Sequence, residues 1–167
     1  MRVYRIPAVT LKVKEMEKSC KFFSRIPGFR MVYGSGAPSD TFATFEVGGD
    51  KEAYLNLELA IDDGVNNLAP GQNSDYRNIS QGHDHNEPST LGKARAAEGR
   101  GSEDFGRIIF HTENVVELYS YMKKDEFISR YAVFETEPAD ASWGGERFFH
   151  IREPNGYQLS FAQPLWR

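Results

Sequence analysis

One cysteine, Cys20, stands in a chain of 167 residues, which excludes an internal disulfide and any zinc cluster built on cysteine. No apolar run approaches the ~18 residues that a membrane span needs. The opening residues, Met1 to Thr10, contain no hydrophobic stretch of signal-peptide length. A soluble, cytoplasmic protein without a membrane partner is therefore expected, and in that setting the sequon Asn78-Ile79-Ser80 reads as chance. A phosphate loop, a nucleophile elbow and a dinucleotide fingerprint are all missing. Histidine is scarce: His83, His85, His111 and His150 are the full set. Positive charge is not in excess either. The net charge is −4, so nucleic acid is not an expected partner. Aromatic residues, by contrast, are plentiful. The 2 Trp, 8 Tyr and 12 Phe make up 13% of the chain, enough to build a core and to exclude wholesale disorder. The length fits one domain or a pair of half-size modules.

The negative charge is concentrated. Residues 62–104 carry eight acidic side chains against Arg77, Lys93, Arg95 and Arg100, a local balance of −4 that leaves the rest of the chain neutral. This stretch is rich in Gly, Asn and Ser. Its large apolar residues, Val65, Leu68, Tyr76, Ile79 and Leu91, are too few for a core. It reads as a long surface excursion, a functional lid or a disordered linker, with one short helix at Lys93–Glu98 capped by Ser89 or Thr90. The chain thus divides into a first module at 1–61, the acidic insertion at 62–104 and a second module at 105–167.

The two flanking modules repeat one another. Val9, Leu11 and Val13 alternate with smaller or polar residues as in a half-buried strand. Met16, Cys20, Phe23 and Ile26 follow at helical spacing, and Pro27-Gly28 ends the helix. Strand-like runs come next at Phe29–Tyr33, Thr41–Val47 and Ala53–Ala60. The second module opens with a strand at Arg107–Thr112 and a helix at Glu113–Lys123, whose apolar face is Val115, Leu118, Tyr119 and Met122. Strands are expected at Tyr131–Glu137, Glu146–Arg152 and Gln158–Ala162. The last two are joined by the turn Glu153-Pro154-Asn155-Gly156. The pattern is an α+β fold of two βαβββ modules, a duplication at the level of the whole chain.

Two stretches carry a resemblance. Val9 to Phe23 with Pro27-Gly28-Phe29, and above all the closing run Arg147-Phe-Phe-His-Ile-Arg-Glu-Pro-Asn-Gly-Tyr-Gln-Leu-Ser-Phe161, resemble the opening and the last hairpin of the glyoxalase/bleomycin resistance protein/dioxygenase, or vicinal oxygen chelate, superfamily. The resemblance implies paired modules whose sheets curve around a groove. It also implies either a metal-dependent lyase, isomerase or dioxygenase, or a metal-free protein that sequesters a small molecule. The metal-dependent members take ligands from the first and last strand of each module, which places them here at Ala8, Glu58, Arg107 and Ser160. Glu58 alone matches the ligand type. Ala8 offers no donor atom, Arg107 is a fixed cation, and Ser160 is a weak ligand where a carboxylate is expected. No cofactor is therefore expected. The alternative is a divalent metal held by Glu58, His111 and His150.

Strand parity indicates what would line the groove. If Val9, Leu11 and Val13 pack on the helix, then Lys12, Tyr54, Glu58, Arg107, His111, His150 and Ser160 become the ligand-binding set, with Arg107 placed to pair with Glu58. Lys12 and Arg107 outweigh Glu58, and histidines add positive charge near neutrality. This suits a small molecule with an apolar or aromatic body and an acidic or carbonyl head, bound more tightly as the pH falls. A binding protein without the family's metal is the favoured reading, with a homodimer left open. The alternative is an enzyme in which His111 or His150 is the general base and Arg107 stabilises an oxyanion. Cys20 falls in the apolar stripe of its helix and reads as core.

The low apolar content of the insertion leads to a test. Replacing residues 66–102 by a short Gly/Ser linker should leave a cooperatively folding domain, since loop-closure entropy changes slowly with length. Loss of a single cooperative thermal transition would show that the insertion is integral to the fold.

Overall fold

The computed structural model describes residues 5–49, 51–60 and 106–166, all of which belong to one unit of the chain. The expected helix at Lys93–Glu98, the sequon and the His83-Asp84-His85 cluster lie outside the described residues. Five segments form the first module: β1 (Ala8–Val13), α1 (Met16–Phe23), β2 (Phe29–Tyr33), β3 (Phe42–Val47) and β4 (Ala53–Leu59). The sheet order is β1-β4-β3-β2, with β1 parallel to β4 and the other pairs antiparallel.

The second module contains β5 (Arg107–His111), α2 (Val115–Lys124), α3 (Glu126–Tyr131), β6 (Val133–Phe134), β7 (Ala139–Asp140), β8 (Glu146–Arg152) and β9 (Gln158–Pro164). Its order is β5-β9-β8-β6, with β7 also pairing with β8. Again the first strand runs parallel to the last. The α+β class and the repeat expected from the sequence are both present. Among the described residues no helix is long and apolar enough to cross a membrane.

Alternation produces the two sheets' buried faces. Leu11, Val13, Ala43, Phe45, Leu55 and Leu57 are closed to solvent in the first sheet, and Phe149, Ile151, Leu159 and Phe161 in the second. On α1 the apolar stripe Met16, Cys20 and Phe23 is buried, together with Ser19 and Phe22. Burial pushes the Cys20 thiol up to about 11, with the Asp40 charge adding to the shift, so Cys20 is an inert core residue. Gly28 takes φ +89° where the chain turns from α1 into β2, a conformation that glycine adopts without penalty. A line of rings joins the modules. Phe23 stacks on Phe29, Phe29 meets Phe110 edge-on at 5.1 Å, and Phe110 and Phe149 stack on Phe161.

The second module departs from the sequence expectation chiefly between α2 and β8, where β7 is also an added strand. Tyr131–Glu137 is not a strand, because α3 continues through Tyr131 and leaves only Val133–Phe134 in the sheet. The cause is Asp125. Its Oδ1 accepts from the backbone N–H groups of Phe127 and Ile128, both at 2.9 Å, which starts a new helix where α2 ends. Its Oδ2 accepts from Arg25 Nη1 at 2.8 Å, binding the end of the first helix to the start of the third. Lys21 and Arg25 also lie over the Phe127 ring, and Lys18 over Tyr131. At the start of α2, Asn114 Oδ1 accepts from Glu117 N–H, and the helix accordingly begins at Val115 rather than at Glu113.

Asp125 is the group whose loss separates these roles. Burial raises its pKa, but the Ile128 and Phe127 amides and Arg25 outweigh that and hold it below the ordinary carboxylate value. Asp125→Ala should lower stability by about 1–2 kcal/mol, and Arg25→Ala, at a more exposed side chain, by less than about 1 kcal/mol. A depressed carboxylate pKa stabilises the fold above the unfolded value and ceases to do so as the pH falls through the folded one. The gap between wild type and Asp125→Ala in urea titrations should therefore be full above about pH 4 and close below it. Equal stability of the two proteins at pH 7 would refute the capping role.

Candidate active site on the second sheet

Each sheet turns one face to the helices and leaves the other open. On the first sheet the open face carries a polar rung: Thr44 Oγ1 donates to Asn56 Oδ1 at 3.0 Å, and Asn56 Nδ2 to Thr10 Oγ1 at 3.4 Å. Lys12 lies opposite Glu58 in register, and both are exposed. Half-buried Tyr54 lies beside Glu46, a fully buried carboxylate in an ion pair with Arg30.

The open face of the second sheet forms a small cleft of about 50 Å³, open to solvent. It is lined by Arg107 and Ile109 from β5, Ser160 and Ala162 from β9, Glu146, Phe148 and His150 from β8, and Trp143 ahead of β8. Three rings step along its wall. His150 lies 4.8 Å from Phe148, and Trp143 stacks on Phe148 at 5.8 Å with only 12° between planes. Trp143, two-thirds exposed, therefore lines the mouth of the cleft. Gly145 holds the neighbouring rim open for a second indole: a Cβ there would fall 1.4 Å from Trp166 Cζ3, so any side chain would displace Trp166.

The charges around the cleft are not equivalent. Arg152 donates to Glu135 Oε1 at 2.6 Å and to the Gly156 carbonyl at 2.9 Å. Glu135 also accepts from Gln158 Nε2. Burial raises the pKa of Glu135, but Gln158, Arg152 and the nearby His150 outweigh it, so the carboxyl stays ionised. These groups satisfy one another. Arg107, in the same cross-strand row as Gln158 and Arg152, makes no ion pair or hydrogen bond among the described residues. It is the uncommitted cation of the cleft, next to a buried hydroxyl at Ser160. Glu146 stands at the far end of β8, with its carboxylate 3.8 Å from His111 Nε2.

Of the residues singled out in the sequence, Arg107, His150 and Ser160 come together in the cleft. Lys12, Tyr54 and Glu58 lie on the other sheet. The expected Arg107–Glu58 pair does not form, because the two residues end up on separate sheets. His111 lies on the cleft's sheet but outside the cleft, two-thirds exposed. The alternative metal triad of Glu58, His111 and His150 is likewise not assembled, and among the described residues no three His, Cys, Asp or Glu side chains gather into a metal cage. The donor set agrees poorly with a cation: a methyl group at Ala8, a guanidinium at Arg107 and a hydroxyl at Ser160 leave Glu58 as the one anionic oxygen. Nor does His150 supply the positive charge expected of it. Burial and the Arg107 charge hold its pKa below the ordinary histidine value, against a smaller opposing effect of Glu135.

The model of the glyoxalase/bleomycin resistance protein/dioxygenase superfamily matches residues 5–161. The chain belongs to this superfamily. Among solved structures it is similar to a member of the superfamily from Sphaerobacter thermophilus, with 19% identity, coverage of 96% of this chain and 98% of that one, and a TM-score of 0.55. It is also similar to TioX from Micromonospora sp. ML1, with 14% identity, 95% and 97% coverage, and a TM-score of 0.55. A virulence protein of Salmonella typhimurium gives 16% identity, 99% and 100% coverage, and a TM-score of 0.54. At these identities the likeness establishes the fold. No curated protein matches the chain in sequence.

Within this glyoxalase-like fold, sequence parity already pointed to most of the cleft. Glu146 and Ala162 were missed, although each is reached by stepping two residues along a strand from Phe148 and Ser160. Glu135 gave no signal, since it reaches Arg152 from a segment with no regular period. The poor donor set leads to a direct test. Protein of this superfamily member purified without added metal should contain no stoichiometric Zn, Ni, Fe or Mn by elemental analysis, and its melting temperature should not respond to those ions. One tightly held metal per chain would refute the donor-set assignment.

Proposed function

We propose that the protein binds a small organic molecule with an acidic or carbonyl head in the cleft of the second sheet, without the metal that the enzymes of its superfamily use. The observation that carries this is Arg107. A guanidinium with no anion partner among the described residues, beside a buried hydroxyl and a row of aromatic rings, suits a ligand that brings the anion itself. The position that holds a metal ligand in the metal-dependent relatives holds a permanent positive charge here. The apolar body of the ligand would lie against Phe148, Ile109 and Trp143. Fold alone does not separate binding from catalysis, and the ligand chemistry rests on this cleft.

Benzoate is a suitable probe, since it has one carboxylate and one flat ring. Arg107→Ala should weaken benzoate binding by about ten- to a hundredfold in calorimetry, the range for a charged hydrogen bond. Lys12→Ala, on the other sheet, should change it less than twofold. A ligand screen that returned only cations would overturn the proposal, as would an unchanged affinity in Arg107→Ala.

A further inference from the structure

His150 has an unusual environment. Its main chain is fixed on both sides: its N–H donates to Thr136 Oγ1 at 2.9 Å, and its carbonyl accepts from Glu135 N–H at 2.9 Å. The ring is held against Phe148, which is itself covered by Trp143. Nδ1 is buried with no hydrogen-bond partner, and among the described residues it is the only side-chain nitrogen or oxygen in that condition. Nε2 does not share that condition, and the residue as a whole lines the cleft.

The orphaned nitrogen fixes the chemistry of the other. A neutral imidazole carries one N–H and one lone pair, and the partner of each nitrogen decides which is which. Burying an N–H with no acceptor is costlier than burying an unused lone pair, which is why orphaned buried donors are the rarer kind. The proton of the neutral ring therefore belongs on Nε2. Protonating the ring would place a second N–H at Nδ1, where nothing accepts it. The charged neighbours do not reverse this. Arg107 on β5 opposes a positive charge, Glu135 just after β6 favours one more weakly, Arg152 on the same strand is committed to Glu135, and Glu146 stands two alternate positions away.

We infer that His150 meets the ligand as a neutral hydrogen-bond donor through Nε2, beside the single fixed charge of Arg107, so that the cleft takes a singly charged carboxylate head and does not use His150 as a base. This deepens the binding function proposed above and rests on it. One guanidinium and one neutral N–H match the two oxygens and one negative charge of a carboxylate. A lone pair confined to a buried nitrogen cannot remove a proton from a molecule in the cleft, since a general base must lie within hydrogen-bond reach of that proton.

Two measurements test the inference separately from the binding function. In two-bond proton–nitrogen correlation spectra of the full chain at pH 7, with His150 assigned by its absence in His150→Gln, the ring should show the Nε2–H tautomer. Its titration midpoint should fall below the ordinary value of about 6.5. An Nδ1–H tautomer, or a midpoint at or above that value, would overturn the donor role whether or not benzoate binds. In calorimetry, benzoate affinity should stay within about twofold from pH 6.5 to 8.5. His150→Phe, which keeps the ring stack and removes the N–H, should weaken it about tenfold, a loss of ~1.4 kcal/mol, and His150→Gln, which retains an N–H donor, should weaken it less. Tightening of tenfold or more as the pH falls over that range would overturn the inference. Failure of benzoate to bind the wild type while the tautomer is as stated would overturn the proposed function and the carboxylate assignment with it.

Discussion

A buried carboxylate at one hairpin organises much of this molecule. Glu153 is almost fully enclosed. Its Oε1 accepts from the backbone N–H groups of Asn155 and Tyr157, and its Oε2 from Asn155 Nδ2. Burial raises its pKa more than these hydrogen bonds lower it, a cost that the surrounding contacts must offset. What the carboxylate secures is the shape of the turn. Once Asn155 is fixed, its Oδ1 accepts from Lys14 N–H at 2.8 Å and its Nδ2 reaches Ser19 Oγ, while Tyr157 Oη accepts from Lys12 N–H. The second module thereby holds both β1 and α1 of the first.

The same hairpin joins β8 to β9, the strands that carry Phe148, His150, Arg152, Ser160 and Ala162. Anchoring it in the first module sets the register of the cleft's floor, so the cleft and the contact between modules depend on a single turn. The Arg25–Asp125 pair and the rings running from Phe29 to Phe161 add further contacts between the modules. A functional face built on paired strands and anchored at one end is more rigid than one built on loops.

The electrostatics of the cleft follow from which charges are already satisfied. Glu135, Arg152 and Gln158 form a closed group, which removes one cation and one anion from consideration and leaves Arg107. In the binding role proposed above, a fixed positive charge at this position would attract an anion directly, with no metal to bridge it. If His150 is the neutral donor proposed above, it would add direction without adding charge, since a neutral donor next to a charged one orients a carboxylate at less electrostatic cost than two cations side by side.

The amino-acid sequence by itself determined the α+β class, the duplication and the buried faces of both sheets. Those features are local: a period of two at Val9, Leu11 and Val13 and a helical period at Met16, Cys20 and Phe23 are set by backbone geometry and survive without knowledge of any distant contact. It also determined that Arg107, His150 and Ser160 share one face, because parity along β5, β8 and β9 fixes that. Tertiary structure decided the rest. It separated Lys12, Tyr54 and Glu58 from Arg107, since no period states which module's face a residue will meet. It made Tyr131 the end of a helix, since Asp125 can cap α3 and bind Arg25 together only once α1 has docked there. And it buried one ring nitrogen of His150 and lowered its pKa, because desolvation and nearby charge depend on how Phe148, Trp143 and Arg107 pack around the ring rather than on the residue's identity.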